Sequence, residues 1–91
     1  MTTKDSDGQR LFEQAIKAVK ILPEKPSDEA LLELYALYKQ ASSGDVSGDK
    51  PGFFDFVGAA KYDAWSKLEG LDQATAMTNY VKFVRDLGAE F

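Results

Sequence analysis

The 91-residue chain contains no cysteine and no histidine, and it has only one tryptophan and three prolines. Without cysteine, the chain can form neither a disulfide framework nor a thiolate metal site, which suits a reducing compartment. Without histidine, it lacks the usual general base near neutral pH and the commonest metal ligand, and a His-dependent serine or cysteine triad is excluded. We therefore expect no metal, no cofactor and no enzymatic activity.

The chain is also short of positive charge and of long apolar segments. It has 11 Lys and Arg against 15 Asp and Glu, a formal net charge of −4. Because phosphate backbones attract basic patches, we do not expect a nucleic acid as partner. No apolar run approaches the roughly 20 residues that cross a bilayer, and residues 1–10 lack the apolar core of a secretory signal. The sequence thus predicts a soluble, cytoplasmic protein.

Apolar residues make up 44% of the chain, enough to fill one compact core. We expect residues 1–8 to form a flexible leader and residues 9–91 a single domain. Apolar residues recur at helical spacing, and no alternation typical of strands is present, so the predicted class is all-α with four helices. The predicted helices span about 9–22, 27–42, 57–68 and 72 to near the C-terminus. Between the second and third helices, Phe53, Phe54 and Phe56 are expected to pack on the bundle.

A small set of tyrosines and lysines is the main candidate for a binding site. Tyr35, Tyr38 and Lys39 are spaced i, i+3 and i+4, so one helix face presents two phenols and an ammonium group. Lys61 and Tyr80 lie on the third and fourth predicted helices. Such a face matches a ligand with a phosphate and an aromatic base. The same pattern also fits half-buried core tyrosines, so spacing by itself leaves both interpretations open.

Over residues 11–87 the sequence resembles the acyl-CoA-binding protein family. The most specific motifs are Tyr35-x-x-Tyr38-Lys39-Gln40-Ala41 and, later, Lys61-Tyr62-Asp63-Ala64-Trp65. The resemblance implies a four-helix up-down-down-up bundle. It also implies reversible binding of one long-chain fatty acyl-CoA ester per monomer by an intracellular carrier and pool former in lipid metabolism. Transient contact with membranes or acyl-CoA-using enzymes is implied as well, and we expect a monomer.

The resemblance further implies a role for each site residue. Tyr35, Lys39 and Lys61 are expected to hold the ribose 3′-phosphate, and Tyr38 and Tyr80 to contact the adenine and ribose or shield the acyl chain. Lys20 and Lys25 are expected near the headgroup or the thioester arm. Leu31 and Leu32 are expected to line the acyl groove.

The sequence departs from the family at several positions near this site. Val57 and Ala59 stand where the family usually has lysine, which implies weaker headgroup binding, and Tyr62 replaces the usual tryptophan. Phe53 and Phe54 are bulkier than the usual aliphatic pair and could change the groove's edge or touch a membrane. A protein-interaction domain of the same fold is therefore an open alternative. A thioesterase is disfavoured by the missing histidine and cysteine, and an acyl carrier protein by the absence of an Asp-Ser-Leu attachment site.

Overall fold

The computed structural model describes residues 3–91, with side chains described from residue 7. Within that span the fold is all-α, as predicted, and contains no strand. Four helices follow one another, with a 3₁₀ turn at Val19–Ile21 after the first. Their bounds are Thr3–Ala18 for α1, Asp28–Ser43 for α2, Phe56–Ser66 for α3 and Gln73–Asp86 for α4.

Short polar side chains fix where three of the helices begin. The Ser27 hydroxyl accepts a hydrogen bond from the Ala30 backbone N–H at 3.1 Å, and the Asp72 carboxylate accepts one from the Thr75 N–H at 2.9 Å. Asp55 caps α3 in the same way, accepting from the Gly58 N–H at 2.9 Å. Each cap satisfies a backbone donor that the first helical turn leaves free.

The largest difference from the predicted helix bounds is at the start of α1, which begins at Thr3 rather than near Gln9. The first turns are polar, so apolar periodicity does not reveal them. An exposed ion pair between Arg10 and Asp7, 2.8 Å apart at i and i+3, stabilises this part of the helix. Residues 1 and 2 lie outside the described residues, and a flexible leader over residues 1–8 stays a prediction.

The helices pack with the predicted up-down-down-up topology. The end of α1 and the end of α4 lie together, since Ala18 and Gly88 line one hollow, so these helices are parallel. The first residues of α2 and α3, including Leu31 and Val57, also lie together, so this pair is parallel too. A hydrogen bond of 3.0 Å from the Gln73 side chain to the Ala41 carbonyl joins the start of α4 to the end of α2, which are therefore antiparallel.

The hydrophobic core lies between α1, α2 and α4. At its centre the Phe12 ring meets the Tyr80 ring edge-on, with 5.2 Å between ring centroids. The core residues that pack around this pair are Ala15, Ala18, Leu34, Leu37, Ala41, Ala76, Val81 and Val84. Within α3, all of whose residues are described, Trp65 alone is buried. α3 is therefore attached to the edge of a three-helix core, chiefly through α2.

A buried glutamine ties the end of α2 to the turn between α3 and α4. The Gln40 amide nitrogen donates to the Leu71 carbonyl at 2.7 Å and to the Asp45 carboxylate at 2.9 Å. Asp45 also accepts from the Gly70 backbone N–H at 2.8 Å. These bonds, that of Gly70 first, hold the pKa of Asp45 below its ordinary value.

The prediction that the phenylalanine-rich loop packs on the bundle is wrong. Phe53, Phe54 and Phe56 are 83%, 87% and 73% exposed. The reason is geometric: the loop precedes α3, which lies at the edge of the bundle, and the core between the other three helices is already filled. The Phe53 ring instead contacts the other two, with centroids 5.3 Å apart for Phe53 and Phe54 and 6.4 Å apart for Phe53 and Phe56.

Candidate ligand-binding site

The candidate site follows the seam between the parallel helices α2 and α3. Lys61 of α3 lies over the ring of Tyr35 of α2, with its Nζ 5.2 Å from the ring centroid. One turn further on, Lys39 of α2 lies over the ring of Trp65 of α3 at 4.8 Å. Both steps are four residues, so the two lysine–aromatic contacts lie on successive turns of the two helices.

The same seam is apolar one turn earlier. There, a groove of about 390 Å³ opens between the first turns of α2 and α3, within the usual range for ligand pockets, about 300–1,000 Å³. Its lining is mostly apolar, with one carboxylate and one lysine, and consists of Asp28, Leu31, Leu32, Phe56, Val57, Ala60 and Lys61. Lys61 thus stands where the apolar part of the seam meets the cationic part.

The two seam lysines are not neutralised by acidic neighbours. Among the residues whose side chains the structure describes, neither Lys39 nor Lys61 forms an ion pair, whereas Lys50 pairs with Asp63 at 3.0 Å. An ammonium group over an aromatic face gains some electrostatic stabilisation and keeps N–H donors free for an anion. The arrangement can therefore bind an amphipathic anion, with its apolar part in the groove and its charge on the lysines.

Tyr38 and Tyr80 lie beside this seam rather than in it. Tyr38 stacks on Phe12 with 6.1 Å between ring centroids and is 40% exposed, so its phenol is accessible. Tyr80 is 4% exposed and belongs to the core. Burial, with a smaller contribution from Tyr38, raises the pKa of the Tyr80 phenol, which is therefore un-ionised at neutral pH. In this structure Tyr80 supports Phe12 and Tyr38; a direct contact with a ligand stays a prediction.

The structure does not bring the other two predicted lysines into the groove. Lys20 lies in the 3₁₀ turn after α1 and Lys25 in the loop before α2; both are exposed, and neither lines the groove. Their expected place near a headgroup or thioester arm stays a prediction.

A second hollow, of about 440 Å³, lies further along α2 and α3 but suits an anion poorly. Glu29, Glu33 and Asp63 contribute carboxylates to its lining, against Lys67 as the single lysine among the lining residues. Like-charge repulsion disfavours an anionic ligand there. Charge therefore favours the apolar groove over this larger hollow.

Comparison with known proteins identifies the family. The model of the family described as acyl-CoA-binding protein matches residues 9–84. The chain belongs to the acyl-CoA-binding protein family. It is 48% identical over 82 residues to the acyl-CoA-binding protein of Saccharomyces cerevisiae, covering 90% of this chain and 94% of that protein. It is also 49% identical over 81 residues to enoyl-CoA delta isomerase 2 of Rattus norvegicus. That match covers 89% of this chain but only 21% of the isomerase.

Solved structures of the family share the fold. The crystal structure of Oryza sativa acyl-CoA-binding protein 2 superposes with a TM-score of 0.90 at 37% identity, covering 94% of each chain. The solution structure of the yeast acyl-CoA-binding protein gives a TM-score of 0.69 at 49% identity, covering 85% of this chain and 90% of that one. The four-helix bundle that the sequence resemblance implied is thus confirmed.

The described residues of this family member show three further features. The groove residues Phe56, Val57 and Ala60 were not predicted as site residues, although with Lys61 they share one face of α3 at spacings of four. Among the described residues no cluster of three or more acidic side chains could hold a metal ion. None of the described helices has the length and apolar character needed to cross a membrane.

Proposed function

We propose that this protein reversibly binds one long-chain fatty acyl-CoA ester per monomer and acts as an intracellular carrier and pool former, without changing the ligand chemically. The observation that carries the proposal is the polarity of the α2–α3 seam. Leu31 and Val57 lie at its apolar end, and Lys61 and Lys39 follow one and two turns later. An acyl-CoA ester has the same polarity, a long apolar chain followed by a head that carries phosphates.

The energetics require both ends of the ligand. Each methylene removed from water contributes about 0.8 kcal/mol, so a long acyl chain offers roughly 10 kcal/mol before the costs of ordering are subtracted. The phosphates cannot approach the protein unpaired without a large desolvation cost. We therefore expect chain length to set the affinity and the 3′-phosphate, held by Tyr35, Lys39 and Lys61, to set the specificity. The adenine and ribose then lie near Tyr38.

Three further properties belong to this proposal. The protein is expected to act as a cytoplasmic monomer, to require no cofactor, and to contact membranes or acyl-CoA-using enzymes only transiently while loading and unloading. In the rat isomerase relative, the similar segment makes up 21% of the protein, which is thus about five times as long as that segment. For this chain we propose the binding activity alone.

Calorimetric titration with palmitoyl-CoA tests the proposal, with palmitate, CoA and 3′-dephosphorylated palmitoyl-CoA titrated in parallel. We expect tight one-to-one binding of palmitoyl-CoA, clearly weaker binding of the dephosphorylated ester, and little binding of palmitate or CoA. Recovery of intact thioester after incubation checks that no hydrolysis occurs. If none of the four compounds binds, the carrier function is refuted, and the protein-interaction domain is the alternative to test next.

A further inference from the structure

The exposed aromatic cluster before α3 is unlike the rest of the described surface. We call Phe53, Phe54 and Phe56 the phenylalanine corner. Each ring is more than 70% exposed, yet the Phe53 ring contacts both of the others, so they form one continuous apolar surface rather than scattered residues. A contiguous apolar patch of this kind marks an interaction site more often than isolated exposed residues do.

The phenylalanine corner is continuous with the apolar groove. Phe56 belongs to both, because it touches Phe53 on one side and lines the groove with Val57 on the other. The order along the molecule is therefore phenylalanine corner, apolar groove, then the two lysines. A ligand bound as proposed would have its tail end next to the phenylalanine corner and its charged end directed away from it.

The charges around the phenylalanine corner differ from those of the whole chain. Between Lys50 and Lys61 the sequence has one charged residue, Asp55, whereas the whole chain has a net charge of −4. Lys50 itself is paired with Asp63 at 3.0 Å. The single carboxylate, that of Asp55, is turned toward the start of α3, where it accepts the Gly58 N–H. The phenylalanine corner therefore carries little charge of either sign, which suits insertion of its rings into an uncharged bilayer surface.

We propose that the phenylalanine corner is the site at which this protein docks on a lipid bilayer, with the Phe53 and Phe54 rings inserted at the level of the headgroups. Phenylalanine is among the apolar residues that membrane-surface segments bury about 5–10 Å deep, at the boundary between headgroups and acyl chains. Docking here brings the tail end of the groove to the membrane, so an acyl chain passes between bilayer and groove with little exposure to water. The inference deepens the proposed carrier function, because it assigns the surface through which that carrier exchanges its ligand.

Flotation with phosphatidylcholine vesicles tests the docking site, using the double variant Phe53→Ser/Phe54→Ser. Neither residue lines the groove and both are exposed, so fold and palmitoyl-CoA affinity in vesicle-free solution should match the unmodified protein. Because burying one phenylalanine side chain changes a partition coefficient by about tenfold or more, we expect the double variant to bind vesicles about 10- to 100-fold more weakly. Phe53→Leu/Phe54→Leu should retain most of the binding, and added salt should change it little.

Ile21→Ser is the matched control. Ile21 is 82% exposed, like the phenylalanines, but lines a separate hollow with Pro23 and Gly88. Ile21→Ser removes a similar apolar area outside the phenylalanine corner, so vesicle binding should stay within about twofold of that of the unmodified protein. The proposal is overturned if the unmodified protein does not float with vesicles, or if the double serine variant floats equally well. It is also overturned if sedimentation shows a dimer that the double variant disperses while vesicle binding is absent, because the phenylalanine corner then binds a second copy.

The two proposals fail in different ways. Absence of palmitoyl-CoA binding in solution refutes the carrier function and leaves the flotation result to be judged separately. Tight palmitoyl-CoA binding together with vesicle binding that ignores Phe53 and Phe54 refutes the docking site and leaves the carrier function standing.

Discussion

Replacing the seam lysines by methionine gives the sharpest test of how the ligand head is held. Lys61→Met and Lys39→Met keep a flexible apolar stem over the rings of Tyr35 and Trp65 and remove only the charged tip. Lys61 is exposed and Lys39 half-buried, so neither change should disturb the fold. A hydrogen bond to a charged group contributes about 1.5–3 kcal/mol. Because this site is open to water, we take the lower value, which corresponds to about a 12-fold loss of affinity for each variant.

The comparison that decides the role of each lysine uses two ligands. Calorimetric titrations at one ionic strength measure the affinity of each variant for palmitoyl-CoA and for 3′-dephosphorylated palmitoyl-CoA. If a lysine holds the 3′-phosphate, its loss should weaken palmitoyl-CoA binding by about 12-fold and dephosphorylated ester binding by less than about twofold. Lys82→Met, on α4 and outside the seam, is the control for loss of one positive charge.

An equal loss for both ligands would refute the assignment of that lysine to the 3′-phosphate. A loss of the same size in the Lys82→Met control would mean that overall charge, and not the seam, attracts the ligand. Since adjacent lysines share one anion, the double variant should lose less than the sum of the two single losses.

Three further predictions concern stability and the groove. Gln40→Leu leaves the Leu71 carbonyl without its hydrogen-bond donor and should lower the free energy of unfolding by about 2 kcal/mol. We expect a decrease in Tm of roughly 8–16 °C, and an unchanged Tm would contradict the role of this hydrogen bond. The pKa of Asp45 is held below 3.8 in the folded protein. The contribution of its carboxylate to the free energy of unfolding is therefore fully present above about pH 3.8 and is lost as the pH falls through the lower, folded-state pKa. The difference in Tm between the unmodified protein and Asp45→Asn should therefore shrink in acid, and a difference constant from pH 7 to 2 would refute this linkage. Val57→Lys puts an ammonium group at the apolar end of the groove, where the acyl chain lies, and should weaken palmitoyl-CoA binding by roughly threefold, because the lysine turns its charge to water and covers less of the chain. Calorimetric titration checks this, and tighter binding would refute the proposed direction of the ligand in the seam.

Helical periodicity predicted the fold well because it reports on burial. Leu34 and Leu37 of α2, and Val81 and Val84 of α4, recur at helical spacing and are buried where these helices meet. The caps at Ser27 and Asp72 were also predictable, since a short polar side chain there completes the first turn. The start of α1 was not, because its polar turns bury little and leave no periodic signal.

The site was only partly predictable from spacing. Tyr35 and Lys39 could be placed on one face of α2, but their partners Lys61 and Trp65 lie on another helix. That pairing depends on α2 and α3 being parallel and in register, and helix spacing carries no information on either. Family resemblance supplied the topology, and with it the neighbours.

The phenylalanine loop was predicted wrongly because burial requires space in a nearby core as well as apolar side chains. Large aromatic side chains are expected inside because burying them is favourable, but the gain requires a core with space nearby. Here the core is closed by α1, α2 and α4, and α3 is held at its edge by the buried Trp65 side chain and by hydrogen bonds to the loop after α2. The Trp65 indole N–H donates to the Gly44 carbonyl at 2.8 Å, and the Tyr62 hydroxyl donates to the Gly48 carbonyl at 2.8 Å.

This placement of α3 explains why the groove and the exposed rings occur together. A helix buried on all sides would have no face left to form a groove with its neighbour. Because the buried Trp65 and hydrogen bonds to the loop after α2 hold α3, the apolar residues Phe56 and Val57 at its start stay free to line the groove, and the rings that precede it stay exposed. The placement of α3 at the edge of the bundle therefore leaves apolar surface that the chain itself does not cover, and this surface is available to a lipid.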